Sequence, residues 1–496
     1  MSDSRSEFGM IGLGTMGRAL LQNIADHGFA VSGFNRNRER LELLLEEAKG
    51  TDIQGFNDLE QFVQSIRKPR VVMLLVPAGE ATDEMIDRVL PLLEPGDFII
   101  DGSNAHYKDT DRRSKALAGT GLGFLGLGVS GGESGARRGP SMMAGGTPEN
   151  YERVRSMLEA AAAKYNCEPC VALLGPSSAG HYVKMVHNGI EYGIMQILAE
   201  CYDVMSRGLG LENELISDVF AHWNSGEMQS FLLEITAHVL KRNDEETGES
   251  LVDLILDKAK SKGTGKWTSQ DAMDLGVAIP TIDAAVSARQ ISSLKEERQA
   301  ASLVLAEDEW NLGDEALDPD EEPDPLEIEE LELEAFGDVT VEEVIEPLEA
   351  AMTAATVIAY AQGLAMLRAA SAEYGYGLDL QEVAKVWRAG CIVRSQFLEE
   401  IRKAYSRNAD LPNLLVDPYV TEMINRDVDG LRRTVVYAVA EGLPVPALSA
   451  SLAYLDGYRS ADLPANLTQA QRDLFGAHTY ERIDQEGAFH TEWGYE

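Results

Sequence analysis

The sequence predicts an α/β dinucleotide-binding domain of Rossmann type, followed by a large all-α domain and a short C-terminal tail. Short apolar runs alternate with helical patterns over residues 1–178, the pattern is helical over 179–460, and 461–496 turns polar and aromatic. Runs rich in β-branched and aromatic residues, bounded by Gly and Pro, read as buried strands. Their alternation with helices implies a parallel sheet.

Strands are expected at Phe8 to Ile11, Ala30 to Phe34, Val71 to Val76, Phe98 to Asp101 and Phe124 to Leu127. The second domain is built from Ala/Leu/Met-rich segments such as Thr353 to Ala372. One stretch breaks that texture: Glu307 to Glu349 holds 20 Asp or Glu, no Lys or Arg, and Pro319, Pro323 and Pro325. Like charge with prolines reads as a mobile, solvated insertion at 307–349; an interaction arm for a basic partner is the alternative. The tail starts with one short helix, then reads as irregular. It carries enough aromatics that docking is expected.

At 496 residues, 44% hydrophobic and 25% charged, the chain is globular with room for two or more domains. Its net charge of -39 repels nucleic acid and anionic membrane, and no local basic patch offsets it. The 43 basic residues are 29 Arg and 14 Lys, which suits a salt-rich cytoplasm or simply a biased genome. Cys167, Cys170, Cys201 and Cys391 form no disulfide framework, and the Cys167/Cys170 pair lacks the second pair of a zinc site. Buried free thiols and no metal are expected. No apolar run approaches the roughly 20 residues of a bilayer span, and the N-terminus has no apolar signal core. The chain reads as cytoplasmic.

Gly12-Leu-Gly14-Thr15-Met16-Gly17 follows the first strand and opens a helix, the context in which GxGxxG binds a dinucleotide. The first glycine permits the turn, the second admits the pyrophosphate, and the third packs helix on strand. The helix dipole favours the anion. After the second strand, Asn35-Arg36-Asn37 offers a cation where an NAD site would carry Asp or Glu, so Arg36 points to the 2′-phosphate of NADP; a plain surface arginine is the alternative. Val76 and Asn104, at the ends of their strands, complete the cofactor-binding set.

Ser130-Gly131-Gly132-Glu133 ends a further strand, facing the same crevice as Asp101-Gly-Ser-Asn104. Lys184, His187, Asn188, Glu191 and Tyr192 fall at offsets that stack them on one helix face, while Met185, Val186, Ile190 and Ile194 lie off it. A solvated face would show repeated Glu/Lys pairs; five different functional groups point instead to a cleft. Lys262-Gly-Thr264-Gly-Lys266 is a glycine-punctuated basic loop suited to a phosphate, without the full Walker pattern.

Lys184-Met-Val-His-Asn-Gly-Ile-Glu-Tyr192, Val129-Ser-Gly-Gly-Glu-Ser-Gly-Ala-Arg137, Lys262-Gly-Thr-Gly-Lys-Trp-Thr268, Gln469-Ala-Gln-Arg-Asp473 and Gly476-Ala-His-Thr479 together resemble decarboxylating 6-phosphogluconate dehydrogenase. That resemblance implies conversion of 6-phospho-D-gluconate to D-ribulose 5-phosphate and CO2 with reduction of NADP, in the oxidative branch of the pentose phosphate pathway. It implies Lys184 as general base and Glu191 as general acid. Asn104, Ser130, Gly131, Gly132, His187 and Asn188 would surround the carboxylate and reacting carbon, and Tyr192, Lys262, Thr264 and Arg289 would hold the phosphate end. Arg472 and His478, on the tail, would complete the site of the partner subunit in a homodimer. The chain departs from the family pattern at Ser103, where a second glycine is usual, and at Asn37, where Thr or Asp is common. Two other readings compete: a general β-hydroxyacid dehydrogenase, which has no use for a phosphate clamp, and a non-catalytic NADPH-binding protein, for which Lys184 and Glu191 would be idle.

Overall fold

The computed structural model describes residues 5–305 and 340–494. Strands β1 (Phe8–Ile11), β2 (Val31–Phe34), β3 (Gln54–Phe56), β4 (Val71–Leu74), β5 (Phe98–Asp101), β6 (Gly123–Ser130) and β7 (Ser141–Gly146) belong to the main sheet. A two-stranded hairpin of β8 (Lys164–Tyr165) and β9 (Glu168–Pro169) then leads into the sheet's last member, β10 (Val171–Gly175). The spatial order is β10-β7-β6-β5-β4-β1-β2-β3. All five expected strands are present. The parallel expectation needs correcting at one place: β6 and β7 pair antiparallel, Leu125 opposite Gly146 through Ser130 opposite Ser141. β3, β7 and β10 were not legible. β3 has three residues, and β7 reads Ser-Met-Met-Ala-Gly-Gly, with no β-branched residue to mark it.

The order reverses direction from β4 to β1, and the GxGxxG turn leaves β1 at that point, where open α/β sheets bind their ligands. Apolar side chains fill both faces of the sheet, Leu20, Ile24 and Leu44 on one side and Phe62, Ile86 and Val89 on the other.

The helical part is organised around two long helices, Ala179–Asp203 and Val341–Tyr374, which pack on each other; Pro418–Ala440 covers the second. Val341–Tyr374 has the length and apolarity of a membrane span, although Glu and Pro residues in its first turns interrupt the apolar run in the sequence. However, 89% of its apolar window is buried inside the protein, as befits a core helix. Its first turn also corrects the acidic-segment boundary. Thr340 and Glu343 form a reciprocal cap, Glu342 and Glu343 sit where the helix dipole favours anions, and Val344 and Leu348 are buried. Residues 340–349 are therefore structured; the rest of the acidic segment lies outside the described residues.

The tail is more regular than expected: the helix Ala465–Gly476 precedes an antiparallel pair, β11 (Tyr480–Glu481) and β12 (Ala488–Phe489). Its centre is the buried Asp473 carboxylate, which accepts from the N–H groups of Thr479 (3.0 Å) and Thr491 (3.0 Å), from the Trp493 indole (2.9 Å) and from His490 (2.9 Å). The thiol expectation holds for Cys170, Cys201 and Cys391, but Cys167 is exposed, at the tip of the β8–β9 hairpin.

Candidate active site

Ala179–Asp203 crosses the C-terminal half of β6, and two glycines of that strand make the crossing possible. A Cβ at Gly126 would lie 3.1 Å from the His181 ring, and one at Gly128 would lie 2.6 Å from Lys184 Cβ. With one bare strand face, the helix settles close enough for Lys184 to reach Ser130, the last residue of β6. The Lys184 amine donates to Ser130 Oγ (3.2 Å) and Asn188 Oδ1 (2.5 Å) and lies 3.3 Å from His187 Nδ1. His187 Nε2 is 3.4 Å from the same Ser130 hydroxyl, so the four side chains close a ring. Glu191, one turn on, approaches His187 Nδ1 at 3.7 Å.

Burial sets the proton affinities. It pulls the Lys184 amine below the ordinary lysine range, against a smaller opposing pull from Glu191. The same burial pushes the Glu191 carboxyl up, with Lys184 and Arg289 opposing. His187 is held well below its usual value by burial and by the neighbouring Lys184, so the imidazole is neutral. A lysine biased toward the free amine and a glutamate biased toward the acid are thus set two turns apart on one face of the same helix.

Eight residues downstream of Lys184, at Tyr192, the surroundings change. The Tyr192 ring packs on Gly265, where a Cβ would come within 2.5 Å, and the Arg289 guanidinium stacks 3.5 Å above that ring. Thr264 opens the helix Thr264–Asp274 behind Gly263, which takes the left-handed conformation (φ 97°) as its cap. Lys262 precedes it, exposed. Asn104 is exposed beyond β5, and Gly131 and Gly132 take φ of 110° and 64° beyond β6. Arg472 and His478 are not brought to this cluster by any contact. Both are exposed, and among the described residues the tail's hydrogen bonds close within the tail.

The dinucleotide turn fits its ligand. Gly12 (φ 101°) sits where a Cβ would lie 2.4 Å from the Leu75 carbonyl, and a Cβ on Gly17 would lie 1.9 Å from the Gly12 carbonyl. Gly14, preceding Thr15 and Met16 in the helix Thr15–Asp26, is open except for Arg40 Nη1 at 3.6 Å. Val76 borders the same turn, its Cγ1 3.0 Å from the Gly12 Cβ position. Asn35 braces the turn by accepting from the Leu13 N–H (3.1 Å). Asn37 caps the helix Arg38–Glu47 by accepting from Glu39 and Arg40. Arg36 is exposed, with no hydrogen bond or ion pair among the described residues. Arg40 was missed from sequence; its spacing of four from Arg36 across the start of a helix was the available signal.

A second missed element is Trp387 to Cys391. The Trp387 ring meets the His187 imidazole edge to face at 5.5 Å, and the Gly390 carbonyl lies 2.4 Å from where a Gly131 Cβ would stand. Nothing local in the sequence ties residue 387 to residue 187.

Both domains match family models: residues 7–175 the NAD binding domain of 6-phosphogluconate dehydrogenase, and residues 180–493 the 6-phosphogluconate dehydrogenase C-terminal domain. The chain belongs to the 6-phosphogluconate dehydrogenase family. It is 50% identical over 490 residues to the NADP(+)-dependent, decarboxylating 6-phosphogluconate dehydrogenase of Bacillus subtilis, covering 99% of both chains. It is 48% identical over 491 residues to the decarboxylating enzyme of Escherichia coli K12, again over 99% of each. Its fold superposes on Plasmodium falciparum 6-phosphogluconate dehydrogenase with a TM-score of 0.89 at 42% identity, over 98% of this chain and 100% of that one. That protein was solved in its apo form, with its cofactor NADP+ and with its substrate 6-phosphogluconate. Membership in this family replaces the broader β-hydroxyacid dehydrogenase reading.

Proposed function

We propose that the chain oxidatively decarboxylates 6-phosphogluconate with NADP, using Lys184 as base and Glu191 as acid. The observation that carries the reading is the buried Lys184 amine, ringed by Ser130, His187 and Asn188 and biased by burial toward its free form. Lys184 takes the proton of the carbon-3 hydroxyl. NADP, when bound, supplies the hydride acceptor for that carbon; Gly12, Gly14, Thr15, Met16, Gly17, Asn35, Arg36, Asn37, Val76 and Asn104 would hold it.

The oxidised substrate is a β-keto acid, whose carbonyl accepts the electrons left when carbon dioxide departs. Lys184, now protonated, lies beside that carbonyl and stabilises the enolate oxygen. Glu191, whose carboxyl burial biases toward its protonated form, delivers its proton to carbon 1 of the enediol. Ser130 and Asn188 hold the amine in place through both steps, and neutral His187 offers a hydrogen bond without competing for the proton. Gly131 and Gly132 present backbone to the carboxylate.

Tyr192, Lys262, Thr264 and Arg289 receive the phosphate. Arg472 and His478 come to this clamp from a second copy, in a cytoplasmic homodimer. The support for the exchange is a tail that folds on itself and exposes Phe475 (71%), Leu467 (62%) and Ile483.

The deciding assay follows NADPH formation and carbon dioxide release together, with 6-phosphogluconate and with 3-hydroxyisobutyrate. Stoichiometric NADPH and carbon dioxide from the phosphorylated acid alone is expected. NADPH without carbon dioxide, or equal use of both acids, overturns the reading, and no turnover at all would favour a non-catalytic NADPH-binding protein.

A further inference from the structure

Behind the phosphate clamp lies a carboxylate that touches no proposed substrate position. Asp271, on Thr264–Asp274, is buried and accepts from three phenols: Tyr107 (2.5 Å) and Tyr374 (3.0 Å) on Oδ1, and Tyr182 (2.5 Å) on Oδ2. Each phenol belongs to a different part of the molecule. Tyr107 stands three residues after Asn104, where the β5 turn enters its helix. Tyr182 stands two residues before Lys184 on the same helix. Tyr374 closes Val341–Tyr374. The Tyr107 and Tyr182 phenols are pushed far above the usual range by burial and then by Asp271, so both remain donors.

The helix that carries Asp271 is fixed at a second level. Thr268 donates to the Met185 carbonyl (3.0 Å), and its methyl occupies the space a Cβ on Gly189 would need, 2.6 Å away. The neighbouring Trp267 meets the His106 ring at 5.0 Å. The Lys262–Thr264 loop is the N-terminal continuation of this anchored helix. Its distance from Lys184 is therefore set by where Asp271 and Thr268 dock. An apolar residue could fill the same space; a buried carboxylate with three oriented donors fixes position as well.

We propose that Asp271 is a positioning residue that sets the span between the Lys262–Thr264 loop and the Lys184 end of the site, and so selects an acid whose phosphate lies a fixed number of carbons from the reacting centre. This rests on the phosphate role given above to Lys262 and Thr264.

The test uses full-length Asp271→Asn, which keeps the side-chain size but replaces one acceptor oxygen with a donor. The quantities read are kcat/KM for 6-phosphogluconate and for gluconate, and KM for NADP. Loss of span should raise KM for 6-phosphogluconate about tenfold or more, lower the preference over gluconate by the same factor, and leave KM for NADP within about twofold. Equal loss on both acids indicates general loosening and overturns the proposal. If Asp271→Asn does not fold, Tyr374→Phe removes a single, partly exposed donor; a preference that falls supports the proposal, and an unchanged one overturns it. Lys262→Ala separates the two layers. If it leaves the preference intact, the phosphate assignment fails and takes this inference with it. If it lowers the preference while Asp271→Asn does not, the inference alone fails.

Discussion

The two ends of the proposed substrate site are built differently. At the reacting end, Ser130, Lys184, His187 and Asn188 are all buried, bonded to one another, and supplied by one strand end and one helix of a single chain. At the phosphate end, Lys262 is exposed, Arg289 is held by stacking on Tyr192, and Arg472 and His478 sit on a tail with no hydrogen bond to the rest of its chain among the described residues. The contrast has a physical reason. Proton transfer demands shifted affinities, which burial in a fixed polar ring provides. Holding a phosphate demands positive charge, which stays solvated until the ligand arrives. The first end is pre-organised within one chain; the second, in the proposed homodimer, would be assembled from two.

Removing the tail should break the assembled end completely. Truncation before Ala461 is expected to abolish turnover while NADPH binding, measured by fluorescence or calorimetry, survives. A sharper version mixes Lys184→Ala subunits with Arg472→Ala subunits. Random exchange puts half of the dimers in the mixed form, each with one intact site, so about a quarter of wild-type activity should return. No recovery after proven exchange means each chain completes its own site.

Point substitutions at the two ends should separate in kind. Lys184→Ala should lower kcat by about 10^2- to 10^4-fold, the range of lost general base catalysis, and Glu191→Gln should fall in the same range. Lys262→Ala, which loses one charge-assisted contact, should raise KM for 6-phosphogluconate about 10- to 100-fold with kcat little changed. Steady-state kinetics at saturating NADP reads both. A kcat effect at Lys262 or a pure KM effect at Lys184 would dissolve the distinction.

The same contrast governs what the sequence made legible. The reacting end was readable because helix periodicity alone stacks Lys184, His187, Asn188, Glu191 and Tyr192. The dinucleotide turn was readable because its glycines are required by local geometry, Gly12 by its φ of 101° and Gly17 by its approach to the Gly12 carbonyl. Trp387 and Asp271 were not readable. Their partners lie 200 and 164 residues away, at His187 and Tyr107, and no local pattern encodes such contacts. The acidic segment misled in one respect: Glu342 and Glu343 belong to a helix start, where two carboxylates are stabilising.

The cofactor side offers an effect of the size expected at Lys262, smaller than that at Lys184. Arg36, exposed and uncommitted among the described residues, faces solvent where a 2′-phosphate would neutralise it. Arg36→Asp should raise KM for NADP about 10- to 100-fold through loss of a charge-assisted contact and gain of a repulsion, with KM for NAD moving far less. Equal use of NADP and NAD by the wild type at matched concentrations would refute the role given to Arg36.

The smallest expected effect tests how rigid the pre-organised end is. Glu200, four turns beyond Lys184 on the same helix, caps Pro446–Arg459 from a distance by accepting from the N–H groups of Ala447 (2.8 Å) and Leu448 (2.9 Å). Burial pushes its carboxyl up to about 7, against the lowering pull of those two N–H groups and of Gln196. In the unfolded chain the same group titrates near ~4.3. Between the two values the folded state holds a proton that the unfolded state has released, so the favourable contribution is full below about 4.3 and is lost as pH rises through about 7. Its ceiling is on the order of 3 kcal/mol, a shift of a few degrees in a domain of this size. Glu200→Gln cannot titrate. Thermal melts should therefore show wild type losing stability relative to the variant between pH 5 and pH 8, while kcat, set four turns away, stays level between the two proteins at each pH. A parallel fall in kcat would mean that this cap, and not the ring around Lys184, governs the geometry of the reacting end.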